Sequence, residues 1–235
     1  VVFASDGTRL GQIDDVTYWP INESHTEFQF MGKMPVEFVD HINAFGTSNP
    51  NYRFMVFANC GDSAIGEEYI TYSQSQLDPA NENSAIPMWG VMTVNLSPIL
   101  EQPNYKIPDP LWMLRSAAKI EVHLSEDLKA RDTKINSAML KYYNVEGYVA
   151  PYNWHSFPDT KEVDCEKAIN VYRHAAVNLP LIEDGATGNY YVYMPEYNNI
   201  DYSGERNKIT LTMNHAGEAK VFEDAISFVE YKNGK

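Results

Sequence analysis

The fold of this chain is most clearly indicated by residues 111–124, LWMLRSAAKIEVHL. Most even-numbered positions of this stretch are apolar, from Trp112 to Leu124, whereas several odd-numbered positions carry charged side chains such as Lys119 and Glu121. A period of two residues is typical of a β-strand with one buried face. The pattern therefore predicts a single long strand, with its apolar side turned towards a core.

The same strand-like pattern recurs on both sides of this stretch. Most of these segments carry β-branched or aromatic residues, and many are bounded by Gly, Pro, Asn or Asp, as strands commonly are. Helical periodicity is limited to residues 36–45 and to a turn or two at residues 125–131. An all-β sandwich fold follows. The further predicted strands are residues 53–59, 88–96, 138–145, 190–194, 209–213 and 226–231.

A proline-rich segment divides the chain into two strand-rich halves. Residues 102–110, QPNYKIPDP, contain three prolines, and linkers between domains are commonly rich in proline and polar residues. The chain has 235 residues, which is enough for two ordinary domains. We therefore predict an N-terminal β-sandwich domain at residues 1–110 and a C-terminal β-sandwich domain at residues 111–235.

The charge of the chain limits its partners. The formal net charge is −14 at pH 7, which repels the phosphates of nucleic acids and the headgroups of anionic membranes. No stretch of the sequence approaches the roughly 20 apolar residues of a membrane-spanning helix. We therefore expect no nucleic-acid partner and no membrane-spanning helix.

The sequence contains no pattern that demands catalysis. Nucleophile elbows, zinc-protease helices and phosphate-binding loops are missing from it, and its six histidines lack metal-ligand spacing. The tripeptide at residues 61–63 resembles a serine-protease loop, but Ala64 and Ile65 follow where glycines belong. We predict no catalytic residue, no cofactor and no metal site, and hence no enzyme. A hydrolase using Cys60 or paired carboxylates is the enzymatic alternative.

The two cysteines do not define a disulfide framework. Cys60 and Cys165 lie far apart in the sequence, whereas small disulfide-stabilised domains carry several closely spaced pairs. One alternative is a single disulfide bond between them. The favoured interpretation is that each is a small buried apolar residue.

One loop is a candidate contact surface. Residues 151–158, PYNWHSFP, bring Tyr152, Trp154, His155 and Phe157 together between two prolines. Such rings stack on sugars or on partner proteins. The alternative is a loop that folds back and closes one end of the sandwich.

Three segments, taken in order, resemble a known family. They are IPMWG at residues 86–90, LRSAAKIEV at 114–122 and YVYMPEY at 191–197. Together they resemble the landmarks of the FimA/Mfa1-like fimbrillins of Bacteroides and Porphyromonas, and residues 54–59 extend the similarity more loosely.

The resemblance implies a fold, a location and a set of partners. It implies two transthyretin-like (Greek-key) β-sandwich domains in tandem, and a lipoprotein precursor exported to the outer membrane or the cell exterior. Membrane contact would then come only from the lipid anchor of the precursor. The expected function is that of a fimbrial structural subunit that joins other subunits by strand exchange and contributes to adhesion. The alternative is a glycan-binding or adhesin-like surface lipoprotein, whose partners would be host or bacterial glycans or proteins.

The sequence departs from the family pattern at its ends. No lipobox cysteine precedes Val1, and the final strand usual in the family is not found before Lys235. If that strand is missing, the second domain has an open edge that a peptide or another subunit should fill. Arg115 and Lys119 are landmark residues for which we predict structural pairing with local carboxylates.

Overall fold

The computed structural model describes residues 1–60, 70–78, 85–102, 104, 106–151, 154, 178–196 and 206–226. Of these residues 49% lie in strands and 13% in helices, and the strand pairs are antiparallel. The prediction of a mostly antiparallel β protein is therefore confirmed.

The elements of the described residues are numbered in chain order. The helices are α1 Val36–Phe45 and α2 Glu126–Ala130, and two single turns of 3₁₀ helix lie at Gln74–Leu77 and Ser97–Leu100. The strands are β1 Val2–Ala4, β2 Arg9–Gly11, β3 Asp14–Pro20, β4 Phe28–Lys33, β5 Asn51–Ala58, β6 Thr71–Ser73, β7 Met88–Asn95, β8 Leu114–Arg115, β9 Ala117–Val122, β10 Thr133–Lys141, β11 Glu146–Tyr148, β12 Leu179–Pro180, β13 Ile182–Asp184, β14 Asn189–Pro195, β15 Lys208–His215 and β16 Glu218–Ala225.

The first half is built on a five-stranded sheet with the order β2-β1-β5-β7-β8. Successive side chains of a strand point to opposite faces, and both faces of this sheet are covered. One face forms what we call the helix-side core, in which Tyr52 and Phe54 pack with Phe38 and Ile42 of α1. The other face contributes to the shared core, described next.

The shared core contains residues from both halves of the chain. Phe3, Met55 and Trp89 from the first sheet pack there with Val149 and Trp154. In addition, β7 pairs with β8 and β6 pairs with β11. These contacts cross residue 110, so the halves share a core, and the division into domains at residues 1–110 and 111–235 stays a prediction.

Helix α1 has the predicted bounds. Pro35 precedes it as the N-cap and Glu37 lies in its first turn, where a negative charge favours the helix dipole. Phe38 and Ile42 are four residues apart and buried, so they share the face that meets the sheet. The helix is followed by Gly46 as its C-cap. A Cβ added at Gly46 would lie 2.4 Å from the carbonyl oxygen of Ile42, so a side chain does not fit there without a shift.

The prediction of one long strand at residues 111–124 was wrong. Residues Leu114–Arg115 form β8 in the first sheet, and Ala117–Val122 form β9 in a different sheet. The chain is interrupted at the buried Ser116, whose amide donates to Pro87 O and whose hydroxyl donates to Val149 O. Trp112, predicted to be buried, is 80% exposed.

The second half contains two sheets around one core. A four-stranded sheet has the order β12-β10-β15-β16, and a three-stranded sheet has the order β13-β14-β9. We call their common core the second-half core, in which Leu140 of β10 packs with Ile120, Val192 and Met194 of the other sheet. Two antiparallel sheets that bury one core between them have a sandwich-like arrangement.

Most strands predicted in the two halves are present, but one of them ends early and several observed strands were not predicted. The predicted strand 138–145 ends at Lys141, because Tyr142 has a φ of 55°, which a regular strand does not allow. Strand β16 was not predicted. The predicted strand 226–231 lies almost wholly outside the described residues, and Ile226 itself is not in a strand. The remaining predicted strands correspond to β5, β7, β14 and β15.

Candidate functional site

The predicted contact loop has only one aromatic residue among those described. The side chain of Trp154 is 0% exposed and belongs to the shared core. Its ring lies 4.7 Å from that of Phe3, centroid to centroid. Trp154 is therefore not an exposed contact residue, and its burial matches the alternative of a loop folded back on the sandwich. Tyr152, His155 and Phe157 lie outside the described residues, and their role stays a prediction.

A shallow pocket lies where the two halves meet. It measures about 480 Å³, part of which is open solvent. The lining includes Trp89 from β7, Arg115 from β8, Tyr148 from β11 and Glu196 just after β14. The strand pairs that cross residue 110 bring these residues together, although they are far apart in the sequence.

Hydrogen bonds anchor the wall of this pocket. The Tyr72 hydroxyl donates to the Ser116 carbonyl, and the Ser116 hydroxyl donates to Val149 O at 2.5 Å. The Asn144 side-chain amide donates to the backbone carbonyl of Glu196 at 2.5 Å. The break between β8 and β9 is thus held by contacts with residues from both halves.

Two titratable groups at the pocket and its wall have raised pKa values. Loss of hydration raises the pKa of the Glu196 carboxyl, although Glu196 as a whole residue is exposed. Burial, followed by the charge of Glu196, raises the pKa of Tyr72. The carboxyl therefore lies near the Tyr72 hydroxyl.

The lining of the pocket does not supply an activated nucleophile. Ser116 lines it, but the Ser116 hydroxyl donates to a backbone carbonyl rather than to a base. No cysteine or histidine is found among the described residues of the lining. A nucleophilic mechanism requires the nucleophile and a base within hydrogen-bond reach of each other. The described lining therefore shows no such pair.

The two basic landmark residues differ. Lys119 donates to Glu121 at 2.7 Å, as predicted. Arg115 lines the pocket and forms no ion pair with any described carboxylate, so its predicted pairing is not found in this part of the chain. Exposed pairs such as Lys119–Glu121 contribute little to stability.

Cys60 is a buried thiol in the shared core. Its sulfur donates to Ala58 O at 3.2 Å, and burial raises the pKa of the Cys60 thiol to about 11. Because the thiolate is the reactive form, Cys60 is not suited to nucleophilic catalysis near neutral pH. Cys165 lies outside the described residues.

We expect Cys60 to react slowly with thiol reagents in the folded protein. A pKa two units above the ordinary value leaves roughly a hundredfold less thiolate at neutral pH. In a Cys165→Ser variant, which leaves Cys60 as the single thiol, labelling by a disulfide reagent should be at least about a hundredfold slower in buffer than in urea. Equal rates in the two conditions would contradict the burial of this thiol.

The outermost strand of the four-stranded sheet exposes two large apolar side chains among charged ones. Strand β16 pairs with β15 along its whole length, and no other described strand pairs with it. Val221 is 67% exposed, and Phe222 is also exposed. An eight-residue edge with exposed apolar side chains is a template for pairing with a further strand.

A second exposed surface is the hairpin formed by β3 and β4. These strands form a two-stranded sheet of their own, and nearly every residue in them is exposed. Tyr18 and Phe30 are cross-strand partners, and Tyr18 is 72% exposed. Large exposed apolar patches usually mark interaction surfaces. The exposed apolar residues of this hairpin are Val16, Tyr18, Trp19, Phe28, Phe30 and Met31.

Sequence reasoning missed this hairpin, although a signal was present. Residues 14–20 and 28–33 both contain β-branched or aromatic residues, and the polar segment 22–26, NESHT, separates them. Two such runs joined by a short polar segment are typical of a hairpin. The pattern does not reveal whether the aromatic side chains are covered.

The described residues show no other kind of site. They contain no group of three or more His, Cys, Asp or Glu side chains that could hold a metal ion. Within the same residues, no helix is long and apolar enough to cross a membrane. Comparison of the chain with protein-family models, curated proteins and solved structures finds no match.

Proposed function

We propose that this chain is a structural subunit of a bacterial surface fimbria, which joins other subunits by strand exchange and contributes to adhesion. The observation that carries the proposal is the edge of β16, which pairs with no described strand other than β15 and which exposes Val221 and Phe222. A strand donated by a neighbouring subunit would pair with this edge and cover its apolar side chains. Because donor and acceptor surfaces differ, such contacts do not close, and a filament results.

The arrangement of the family-like segments supports this proposal. The segment 86–90 leads into β7, the segment 114–122 forms β8 and β9, and the segment 191–197 overlaps β14. Strands β9 and β14 are direct neighbours, with Ile120 opposite Val192. Successive segments of the resemblance thus lie on paired strands, β7 with β8 and β9 with β14.

The proposal includes a finer architecture and a location. Each half would be a transthyretin-like sandwich, and the separate helix-side and second-half cores are compatible with two such units. The precursor would be a lipoprotein, and the mature subunit would lie at the outer membrane or in the extracellular fimbria. The expected partners are other fimbrial subunits.

Assembly can be tested on the full-length protein before and after limited trypsin digestion. We expect an open series of oligomers, seen as a ladder by size-exclusion chromatography and mass spectrometry, once an N-terminal segment is removed. Val221→Asp should reduce the yield of oligomers at least about tenfold, because the apolar side chains of the donated strand would pack against a partly desolvated, unpaired carboxylate.

The matched control is Val36→Asp, which makes the same change at another exposed valine. This variant should assemble as the unmodified chain does. A chain whose oligomeric state is unchanged by digestion would contradict the proposed function. So would equal losses in the two valine variants, because assembly would then not depend on the edge of β16.

A glycan-binding surface protein is the alternative function. It depends on the rings at residues 151–158, and the burial of Trp154 removes one of them from the surface. Saturable sugar binding that is lost in Tyr152→Ala or Phe157→Ala would favour this alternative.

A further inference from the structure

The β3–β4 hairpin has one protected edge and one open edge. Strand β3 contains an extra residue between Asp14 and Thr17 relative to β4, and it carries Pro20. Bulges, prolines and charged residues are the features that prevent an edge strand from pairing with another chain. Strand β4, with the sequence FQFMGK, has no proline, and its one charged residue is Lys33 at its end. It pairs only with β3 among the described strands. The open edge is therefore that of β4.

The hairpin also exposes apolar side chains on both of its faces. Cross-strand partners share a face, so Tyr18 and Phe30 lie on one side, and Thr17 and Met31 lie on the other. A two-stranded hairpin alone in water is marginally stable, and three or more strands are much more stable. An additional strand at the open edge would therefore widen the sheet and would also shield aromatic side chains.

We propose that the open edge of β4 pairs with the same edge of a second copy of this chain. The two β4 strands run antiparallel about a two-fold axis at Phe30, so the two hairpins form one four-stranded sheet. This contact is isologous, and it therefore closes as a dimer. The inference does not rest on the proposed fimbrial function, which involves a different strand.

Charge complementarity selects the second copy as the occupant. With Phe30 opposite Phe30 of the second copy, antiparallel pairing places Glu27 opposite Lys33 of the second copy, and the symmetry repeats this pair. Both side chains are exposed, and neither forms an ion pair with another described residue. Opposite charges placed directly across a sheet stabilise the pairing, whereas like charges destabilise it.

The same register also fits the aromatic side chains. It places Phe28 opposite Gly32 of the second copy, where the Ile13 side chain already occupies the space that a side chain at Gly32 would take. The Phe28 ring would therefore pack against Ile13. Shifting the register by two residues in either direction separates Glu27 from Lys33 and Phe28 from Gly32. Shifting it by one residue would place each side chain opposite one from the other face of the second copy, and Glu27 would again no longer lie opposite Lys33.

The association can be measured by sedimentation velocity over a range of protein concentrations. We expect a reversible dimer of the unmodified chain. Lys33→Glu should weaken the dimer about tenfold or more, because a repulsion between two carboxylates replaces each of the two ion pairs. The double variant Glu27→Lys with Lys33→Glu restores opposite charges, so its dissociation constant should return to within about threefold of the original value.

Lys106→Glu is the matched control, since it makes the same charge change at another exposed lysine. It should leave the dimer unchanged, and circular dichroism should show that every variant is folded. A monomer at all concentrations would overturn the proposal. The proposal would also be overturned if Lys33→Glu left the dimer unchanged, or if the double variant failed to restore it. Either result would mean that the edge of β4 binds another partner.

Discussion

Replacing Trp154 with alanine should lower the free energy of unfolding by about 3–5 kcal/mol. The ring is fully buried in the shared core and packs against Phe3. Its removal would leave a cavity between residues from both halves of the chain, and the surrounding structure can fill such a cavity only in part. Urea unfolding followed by far-ultraviolet circular dichroism measures this loss.

Trp112→Ala is the matched control for this prediction. The Trp112 side chain is 80% exposed, so the same truncation should change the free energy of unfolding by less than about 0.5 kcal/mol. Similar effects in the two variants would contradict the burial of Trp154. That result would return this residue to the exposed contact surface considered from the sequence.

Replacing Tyr72 with phenylalanine should lower the free energy of unfolding by about 1–3 kcal/mol. The Tyr72 hydroxyl donates to the carbonyl of Ser116, and both residues are buried. The variant keeps the aromatic ring but leaves that carbonyl without its donor. The loss should appear in urea unfolding curves as a lower midpoint with an unchanged slope.

Alkaline pH gives this prediction a second readout. Burial raises the pKa of Tyr72, so the folded state retains a proton that the unfolded state loses near pH 10. The stabilisation that depends on this proton is fully present below the unfolded pKa and is lost as the pH rises above it. Tyr72→Phe should therefore lose less stability between about pH 9 and pH 11 than the unmodified chain does.

Tyr18→Phe removes the same atom from an exposed tyrosine and is the matched control. Its hydroxyl forms no hydrogen bond with another described residue, and the side chain is 72% exposed. We expect a change of less than about 0.5 kcal/mol. If Tyr18→Phe and Tyr72→Phe were equally stable, the hydrogen bond to Ser116 would contribute nothing.

Local patterns predicted the elements that have local causes. Helix α1 lies within its predicted bounds because Pro35 starts it and because Phe38 and Ile42 recur at helical spacing. Strands β5, β7 and β14 were found because β-branched and aromatic residues recur between polar segments. These features require no knowledge of distant parts of the chain.

The same patterns failed where a distant contact decides the structure. The alternation of apolar and polar residues through 111–124 predicted one strand. In the structure, three hydrogen bonds between Ser116 and distant residues hold Ser116 in place, and this separates β8 from β9. Residue spacing cannot show that Pro87, Tyr72 and Val149 meet at this position. Periodicity also cannot assign the two parts to different sheets.

The sequence by itself determined that this is a mostly β chain with a short helix near its start, because periodicity reports which side of an element is apolar. Only the tertiary structure decided what covers each apolar side. It buries Trp154 against Phe3, and it leaves Trp112, Tyr18 and Val221 exposed. An apolar residue has the same local pattern in a core and at an open edge, and its neighbours are supplied by strands that are distant in the sequence.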